Sequence, residues 1–317
     1  MTIQVLPLDD AISFGARIRG VSRGALLDEA VRRQINDVFE DRGLIVFEDV
    51  EPTGEMHVAL SNVFGPLKEH PVPNISRVDA DTMPGVIDMY YKPNEGKIVE
   101  INGQRLTAWS PWHFDHCYNN ELNRAGVLRA IIIAPEGGLT CFCDGLDLYQ
   151  AFSPELRARI EGQNIIYTLN LLYEHMRFGL PQGFRNVYTP PYLYDLLERS
   201  KALPRAVHPA VWTRKDGRKV MHVSPWMSVG IEGHEDGEGE ALLQAVCEEI
   251  NAKIQSYCHH WKLTEMVIWD NWRMLHSVSG CDPQFPRRMH RTTIKGDYGL
   301  GYFEKNGVGD KVLEMTV

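Results

Sequence analysis

The chain has 317 residues, of which 44% are hydrophobic and 24% charged, a composition that excludes disordered and fibrous proteins. Its 33 basic and 42 acidic residues give a net charge of −9, which argues against a dedicated nucleic-acid-binding protein because such a protein needs a basic surface. No apolar run approaches the roughly 18 residues that cross a bilayer, and the N-terminus lacks the pattern of a signal peptide. We therefore expect one cytoplasmic domain spanning residues 1–317, without nucleic-acid or membrane partners.

Six cysteines are scattered along the sequence without a C-x-x-C pair. In a chain long enough to bury a full core, this pattern predicts reduced thiols rather than a disulfide framework. Cys141 and Cys143 could form a metal-binding pair, but alternation along a strand is the favoured interpretation.

The first third of the chain indicates two helices followed by a long loop. Apolar periodicity and end signals predict helices over residues 28–42 and 53–64, with a buried strand at 44–47 between them. Residues 71–108 contain several prolines and glycines, which predict an irregular segment. Because structureless segments of that length are usually lids or binding loops, we expect a flexible lid here.

Strand-like runs dominate the rest of the chain. They are predicted at 127–134, 265–271 and 291–297, while an amphipathic helix is predicted at 239–257. Residues from about 146 to 260 indicate a helical and irregular insertion with few recognisable motifs. Strands that recur between irregular loops predict a mainly β protein with flanking helices (α+β), a sandwich or barrel rather than a βαβ fold.

Two H-x-D triplets are candidate metal-binding motifs, one starting at His113 and the other at His234. Two ligands separated by one residue need an extended backbone, because residues i and i+2 of a strand share a face. Pro111 favours that geometry before His113, whereas His234 lies in a glycine- and carboxylate-rich segment suited to capping a helix. We therefore take His113 and Asp115 as candidate ligands.

A third ligand is predicted at His276, which follows a strand ending in Trp-Asp-Asn. Two histidines and one carboxylate on one face of an octahedron are typical of non-haem Fe(II) oxygenases. Such a centre leaves positions open for a chelating 2-oxo acid and for O2. The far carboxylate of a 2-oxo dicarboxylate also needs a cation, and arginine suits it because its guanidinium binds carboxylates through two hydrogen bonds.

Four motifs occur in order along the chain: WHFD at 112–115, GGLT at 137–140, WDNWRMLH at 269–276 and RRMHRTTIKGD at 287–297. Their order and spacing resemble the Fe(II)/2-oxoglutarate-dependent dioxygenases of the taurine dioxygenase (TauD) and TfdA family. The resemblance implies a double-stranded β-helix, a cupin-like jelly-roll core with flanking helices. It also implies that His113, Asp115 and His276 hold Fe(II), and that Thr140 and Arg287 bind the distal carboxylate of 2-oxoglutarate.

The resemblance implies substrate-binding residues as well. Arg291 would meet an anionic group, and His70 falls near the substrate-facing histidine of the family. Four residues before the first iron ligand, where taurine dioxygenase has an asparagine that contacts substrate, this chain has Trp109. Because tryptophan replaces an amide with a large apolar face, we expect a bulkier or aromatic acid rather than taurine. Tyr90 and Tyr91 are further candidates for this pocket.

The implied reaction uses O2 to decarboxylate 2-oxoglutarate oxidatively to succinate and CO2. It hydroxylates an unactivated C–H bond of a small organic acid, with C–O or C–S cleavage where that carbon bears a heteroatom. The resemblance also implies a homodimer or homotetramer. Three alternatives stay open: desaturation or cyclisation at the same iron site in natural-product synthesis, a Zn or Mn cupin-like isomerase or hydrolase, and a binding protein without catalysis.

Overall fold

The computed structural model describes residues 3–69, 76–79, 81–296 and 298–304. These residues form six α-helices: α1 (Glu29–Arg42), α2 (Gly54–Ser61), α3 (Gly145–Ala151), α4 (Pro154–Ile160), α5 (Tyr192–Ser200) and α6 (Gly237–Lys253). In the described part of the chain, no helix has both the length and the apolar character that crossing a bilayer requires.

The same residues form twenty-one short strands, which account for most of the regular structure. They are β1 (Gln4–Pro7), β2 (Ala16–Arg19), β3 (Leu44–Phe47), β4 (Arg77–Asp79), β5 (Met83–Tyr91), β6 (Ile98–Ile101), β7 (Gln104–Leu106), β8 (Ser110–His113), β9 (Ala125–Ile132), β10 (Thr140–Asp144), β11 (Asn164–Tyr167), β12 (Phe184–Tyr188), β13 (Ala206–Pro209), β14 (Val211–Thr213), β15 (Lys219–Met221), β16 (Ser228–Ile231), β17 (Ser256–His259), β18 (Met266–Asp270), β19 (Met274–Val278), β20 (Arg287–Ile294) and β21 (Tyr302–Phe303).

Two sheets form the core of the fold. An eight-stranded sheet has the order β1-β2-β3-β18-β9-β20-β5-β4, and a four-stranded sheet has the order β17-β10-β19-β8. Their facing side chains share one hydrophobic cluster, in which the rings of Trp269 on β18 and Phe142 on β10 lie 5.6 Å apart. This is the jelly-roll core with flanking helices that the motifs predict, so the predicted fold class is confirmed.

Helices α1 and α2 cover the other face of the large sheet. Asp28 begins α1 by accepting a hydrogen bond from the Ala30 amide, and Gly43 ends it in the left-handed conformation at φ 71°. The predicted helix at 28–42 is therefore confirmed. The α2 helix is shorter than the predicted span of 53–64, because its last i→i−4 hydrogen bond runs from Asn62 to Val58 and the residues up to Phe64 form tighter turns.

The prediction of an irregular segment at 71–108 is wrong for most of the residues that the structure describes there. Strands β4 to β7 occupy much of this segment, and β5 pairs with β20 in the large sheet, with Tyr91 opposite Arg287. The strand partner of β5 lies near the other end of the chain, so the hydrogen bonds that stabilise it leave no local signal in the sequence. Whether the segment moves as a lid stays a prediction.

The insertion at about 146–260 has its own small sheet in addition to helices. Strands β16-β11-β13-β21 form this four-stranded sheet, and α6 packs against it through Leu243 and Val246. The sequence predicts a helical and irregular insertion, and the structure adds short strands to it. The insertion packs beside β8 and supplies one wall of the cavity described below.

The prediction that the cysteines are all reduced is wrong for one pair. Cys141 on β10 and Cys258 on β17 lie directly opposite each other, with their Cα atoms 4.0 Å apart, and form a disulfide. The other four cysteines are free and buried. The two bonded residues are separated by 117 positions, and only the pairing of β10 with β17 brings them together.

Candidate active site

The pairing of β8 with β19 brings the three predicted metal ligands together. His113, the last residue of β8, lies directly opposite His276 on β19, and their ring centroids are 4.2 Å apart. Asp115 follows two residues later, with Oδ1 3.6 Å from Nε2 of His276. One potential ligand atom from each residue lies within 4.8 Å of the others, which is the spacing of donors that can share one metal ion.

His113 is held in the form that binds a metal. Its Nδ1–H donates a hydrogen bond to the Pro111 carbonyl at 2.8 Å, so the lone pair stands on Nε2. Burial, assisted by the neighbouring His276, lowers the pKa of His113 to about 3. The ring is therefore neutral at physiological pH, as a metal ligand must be.

Asp115 is ionised, and its two oxygens have different partners. Burial alone would raise its pKa, but the positive charge of Arg291 and the neighbouring His276 outweigh burial and hold the pKa well below its ordinary value. Arg291 donates from Nη2 to Oδ2 at 2.5 Å, while Oδ1 faces His276. The carboxylate can thus bind a metal through Oδ1 while the guanidinium fixes its orientation.

Asn271, at the end of the WDN motif, holds the backbone of Asp115 in place. Its Oδ1 accepts from the Asp115 amide at 2.8 Å, and its Nδ2 donates to the Asp115 carbonyl at 3.1 Å. Next to it in the core, Phe114 stacks on His222 with ring centroids 3.8 Å apart. Asn271 is fully buried, so this pair of hydrogen bonds fastens the backbone of Asp115 to the turn before β19.

Thr140 and Arg287, the predicted 2-oxoglutarate ligands, are buried and retain free hydrogen-bonding capacity. Among the residues described, none is a hydrogen-bond partner for Oγ1 of Thr140 or Nη2 of Arg287. Both side chains line the same cavity as the three metal ligands. Buried polar groups are normally paired, so an anionic group with two oxygens fits this position.

The two glycines of the GGLT motif position Arg287. Gly137 and Gly138 both have left-handed backbones, with φ of 71° and 65°. A Cβ on Gly137 would lie 2.4 Å from the Gly280 carbonyl oxygen, and one on Gly138 would lie 3.1 Å from Arg287. This close approach lets the Gly138 carbonyl accept a hydrogen bond from Nε of Arg287 at 3.1 Å.

The cavity has a volume of about 780 Å³, and aromatic side chains form part of its walls. Trp109 and Tyr91 line it, with Trp109 packed edge-on against Tyr173 at 5.0 Å. Tyr90 stands at the rim, 42% exposed. The predicted pocket residues Trp109, Tyr90 and Tyr91 thus share one cavity with the ligands, whereas His70 lies outside the described residues.

Many of the residues that line the cavity are not predicted from the sequence, and three of them stand out. Trp226, from the insertion, packs edge-on against the His113 ring at 5.0 Å, and Tyr173 extends the same wall. Lys97 is the third, with its ammonium group beside these two rings. Their region of the sequence shows only scattered aromatic residues, which are more often core residues than binding residues.

Within the described residues, the second H-x-D triplet is not part of a cluster of side chains that could hold a metal. Asp236 begins α6 by accepting hydrogen bonds from the amides of Glu238 and Gly239, as predicted. His259, another buried histidine outside the cavity, lies in β17 with Nε2 3.2 Å from the Glu265 carboxylate.

Comparison with known proteins relates the chain to a family. The sequence profile described as "Taurine catabolism dioxygenase TauD, TfdA family" matches residues 4–293. The chain is 28% identical over 294 residues to (S)-phenoxypropionate/alpha-ketoglutarate-dioxygenase of Sphingobium herbicidovorans, covering 92% of this chain and 95% of that protein. It is 25% identical over 288 residues to alpha-ketoglutarate-dependent 2,4-dichlorophenoxyacetate dioxygenase of Cupriavidus pinatubonensis, covering 90% and 95%. The structure of AAD-2 in complex with Mn(II) and N-oxalylglycine shares the fold, with a TM-score of 0.68 at 23% identity over 93% of this chain and 98% of that one.

Proposed function

The chain belongs to the TauD/TfdA family of dioxygenases, and we propose that it couples oxidative decarboxylation of 2-oxoglutarate to hydroxylation of a C–H bond in a small aromatic acid. Its similarity to named alpha-ketoglutarate-dependent dioxygenases supports the 2-oxoglutarate-dependent activity. The relatives do not fix the substrate of this chain, so the aromatic acid is our own proposal.

One observation carries the proposal. Three metal-binding side chains, His113, Asp115 and His276, share a cavity with two buried polar groups that lack partners in the described structure, on Thr140 and Arg287. A Zn or Mn isomerase or hydrolase does not require the polar groups of Thr140 and Arg287. A 2-oxo dicarboxylate needs both sets, one for its chelating end and one for its far carboxylate.

In the proposed reaction the protein binds and orients the reactants. His113, Asp115 and His276 would hold Fe(II), and bound iron with 2-oxoglutarate supplies the activation of O2 that oxidises a C–H bond. Thr140 and Arg287 would hold the distal carboxylate of the cosubstrate. Arg291, in this proposal, keeps the Asp115 carboxylate ionised and oriented.

The walls of the cavity support an aromatic substrate. Trp109, Tyr173 and Trp226 present apolar faces beside the metal-binding residues. Two relatives are named for phenoxypropionate and 2,4-dichlorophenoxyacetate, which are aromatic ethers carrying a carboxylate. We therefore propose an aryloxyalkanoate or a similar aromatic acid, hydroxylated at the carbon next to the ether oxygen, so that the product collapses with C–O cleavage.

The test is turnover of matched acids with analysis of all products. Phenoxyacetate and taurine are incubated separately with protein, Fe(II), 2-oxoglutarate and O2, and succinate, phenol and sulfite are measured. We expect succinate and phenol in equal amounts from phenoxyacetate, and much slower sulfite release from taurine. Taurine turnover as fast as that of phenoxyacetate would contradict the aromatic substrate, while an unsaturated or cyclised product would favour the desaturase or cyclase alternative.

The predictions of a homodimer or homotetramer and of a cytoplasmic location belong to this proposal as well. Sedimentation velocity of the purified chain checks the first. A monomer at micromolar concentration would contradict it.

A further inference from the structure

Lys97 places a positive charge in the wall of the cavity. Its Nζ lies 3.4 Å from the ring centroid of Tyr173 and 5.5 Å from that of Trp226, and it donates one hydrogen bond to the Leu171 carbonyl at 2.9 Å. Within the part of the chain that the structure describes, this nitrogen forms no ion pair with a carboxylate. An ammonium group has three N–H donors, so two are left for another partner.

The surroundings of Lys97 make its charge costly. Burial lowers its pKa to about 7, although the carboxylate of Glu174 partly opposes this effect. Glu174 is engaged elsewhere, because it accepts hydrogen bonds from Thr189 and from the Tyr194 hydroxyl at 2.8 Å. An anion that enters the cavity would offset this cost, because Lys97 is a partly buried cation without a close counter-ion.

The other cations that line the cavity already have partners or an assigned role. Arg291 is paired with Asp115 at 2.5 Å, and Arg287 faces the proposed position of the cosubstrate carboxylate. Lys92 is exposed at the rim, 3.9 Å from Glu95. This leaves Lys97 as the cavity cation best placed to receive a second anion.

We propose that Lys97 binds the anionic group of the substrate, between the faces of Tyr173 and Trp226, and thereby sets the preference for aromatic acids over neutral aromatic compounds. This assignment rests on the proposed function, and it gives Lys97 the role that the motifs suggest for Arg291. A ligand that fits pairs a carboxylate with an aromatic ring a few bonds away, since both the ammonium group and the rings lie in the same wall.

A purely structural role for Lys97 predicts different behaviour. Its hydrogen bond to Leu171 could simply tether the segment before α5, and loss of the tether would then weaken binding of charged and neutral ligands alike. Lys97→Met keeps the length of the side chain but removes the charge, and Lys97→Arg keeps the charge. The comparison therefore separates charge recognition from tethering.

The experiment measures equilibrium binding, so it does not depend on turnover. Phenoxyacetate and its neutral amide, phenoxyacetamide, are titrated by calorimetry into the metal-free full-length protein at pH 6.5. Because charge-assisted hydrogen bonds contribute roughly 1.5–3 kcal/mol, the wild type should bind the acid about 10- to 100-fold more tightly than the amide. Lys97→Met should abolish that preference with little change for the amide, Lys97→Arg should keep most of it, and the exposed control Lys215→Met should keep all of it.

The results distinguish a wrong assignment of Lys97 from a wrong proposed function. A preference for the acid that persists in Lys97→Met, or equal binding of acid and amide by the wild type, would overturn the assignment. If Lys97→Met does not fold, as judged by its circular dichroism and melting curve, the pH dependence of acid binding decides the question. The assignment then requires that the wild-type preference for the acid fall between pH 6.5 and pH 8.5 and that Lys97→Arg keep it at both pH values. Failure of the wild type to form succinate from 2-oxoglutarate would contradict the proposed function instead, without changing the binding result.

Discussion

Arg291 donates a hydrogen bond to Oδ2 of Asp115 at 2.5 Å, and the other oxygen of the same carboxylate faces Nε2 of His276 at 3.6 Å. The two oxygens of one side chain are thus divided between a guanidinium group and the candidate metal position. This arrangement makes Arg291 a positioning residue for the metal site, in addition to any contact it makes with the substrate.

Replacing Arg291 by glutamine should weaken metal binding. Loss of a partner that orients a metal ligand typically costs about 10- to 100-fold in affinity, and we expect a loss of that size for Fe(II) or Co(II). The matched control is Arg288→Gln, because Arg288 lies on the same strand but pairs with Asp88. Unchanged metal affinity with weaker substrate binding would place Arg291 at the substrate alone.

Asn271→Ala should destabilise the protein even without metal. The substitution leaves the backbone amide and carbonyl of Asp115 without their side-chain partners. Each buried group left unpaired costs about 1–3 kcal/mol, so we expect a loss of about 3 kcal/mol in the free energy of unfolding. Urea unfolding of the metal-free variant, compared with the exposed control Asn120→Ala, measures this loss. A difference below about 0.5 kcal/mol would contradict the role assigned to Asn271.

His57 should make the protein less stable in acid. Burial, together with the nearby charge of Arg129, lowers its pKa in the folded protein to about 3, whereas the unfolded chain has a value near 6.5. Between pH 3 and pH 6.5 the unfolded state binds a proton at this histidine, whereas the folded state does not. Each pH unit below about 6.5 therefore lowers the free energy of unfolding by about 1.4 kcal/mol. His57→Gln should therefore lose less stability than the wild type between pH 7.5 and pH 5.5 in urea unfolding, and the exposed control His260→Gln should not differ from the wild type. Equal losses in all three proteins would contradict the assignment.

Binding of an aromatic acid should weaken above neutral pH. Lys97 has a pKa of about 7, so it loses its charge as pH rises through that value in the ligand-free protein. The groups that face it are Tyr173, whose pKa burial raises well above its ordinary value, and Glu174. We expect the affinity for phenoxyacetate to fall about 25-fold between pH 6.5 and pH 8.5, because only the charged form of Lys97 binds the anion. Calorimetry at the two pH values measures the change, which Lys97→Arg should remove. A pH-independent affinity in the wild type would contradict it.

The cluster of His113, Asp115 and His276 could be predicted because local sequence determines most of it. His113 and Asp115 share a face of the chain as soon as the backbone is extended, and His276 follows a strand with a distinctive sequence. The glycines before Thr140 also leave a signal, because only glycine tolerates their conformation and their close approach to Arg287. At these glycine positions, the backbone conformation and the close packing restrict which residues can occur.

The rest of the site depends on contacts between distant segments. Trp226 and Lys97 reach the cavity through packing of the insertion and of β6, and neither residue differs in sequence from an ordinary core tryptophan or surface lysine. The pairing of β5 with β20 and the disulfide between Cys141 and Cys258 likewise follow from sheet register. No local pattern fixes that register, which is why the sequence predicted an irregular segment and free thiols instead.

The most direct test of the proposed site is the visible spectrum of the protein with Fe(II) and 2-oxoglutarate in the absence of O2. A broad iron-to-ketoacid charge-transfer band is expected for the wild type and for the exposed controls His260→Ala and Arg199→Ala. It should be lost in His276→Ala and weakened in Arg287→Ala. No band at saturating Fe(II) and 2-oxoglutarate, with Zn(II) or Mn(II) bound tightly instead, would contradict the proposed iron and cosubstrate site and favour an isomerase or hydrolase.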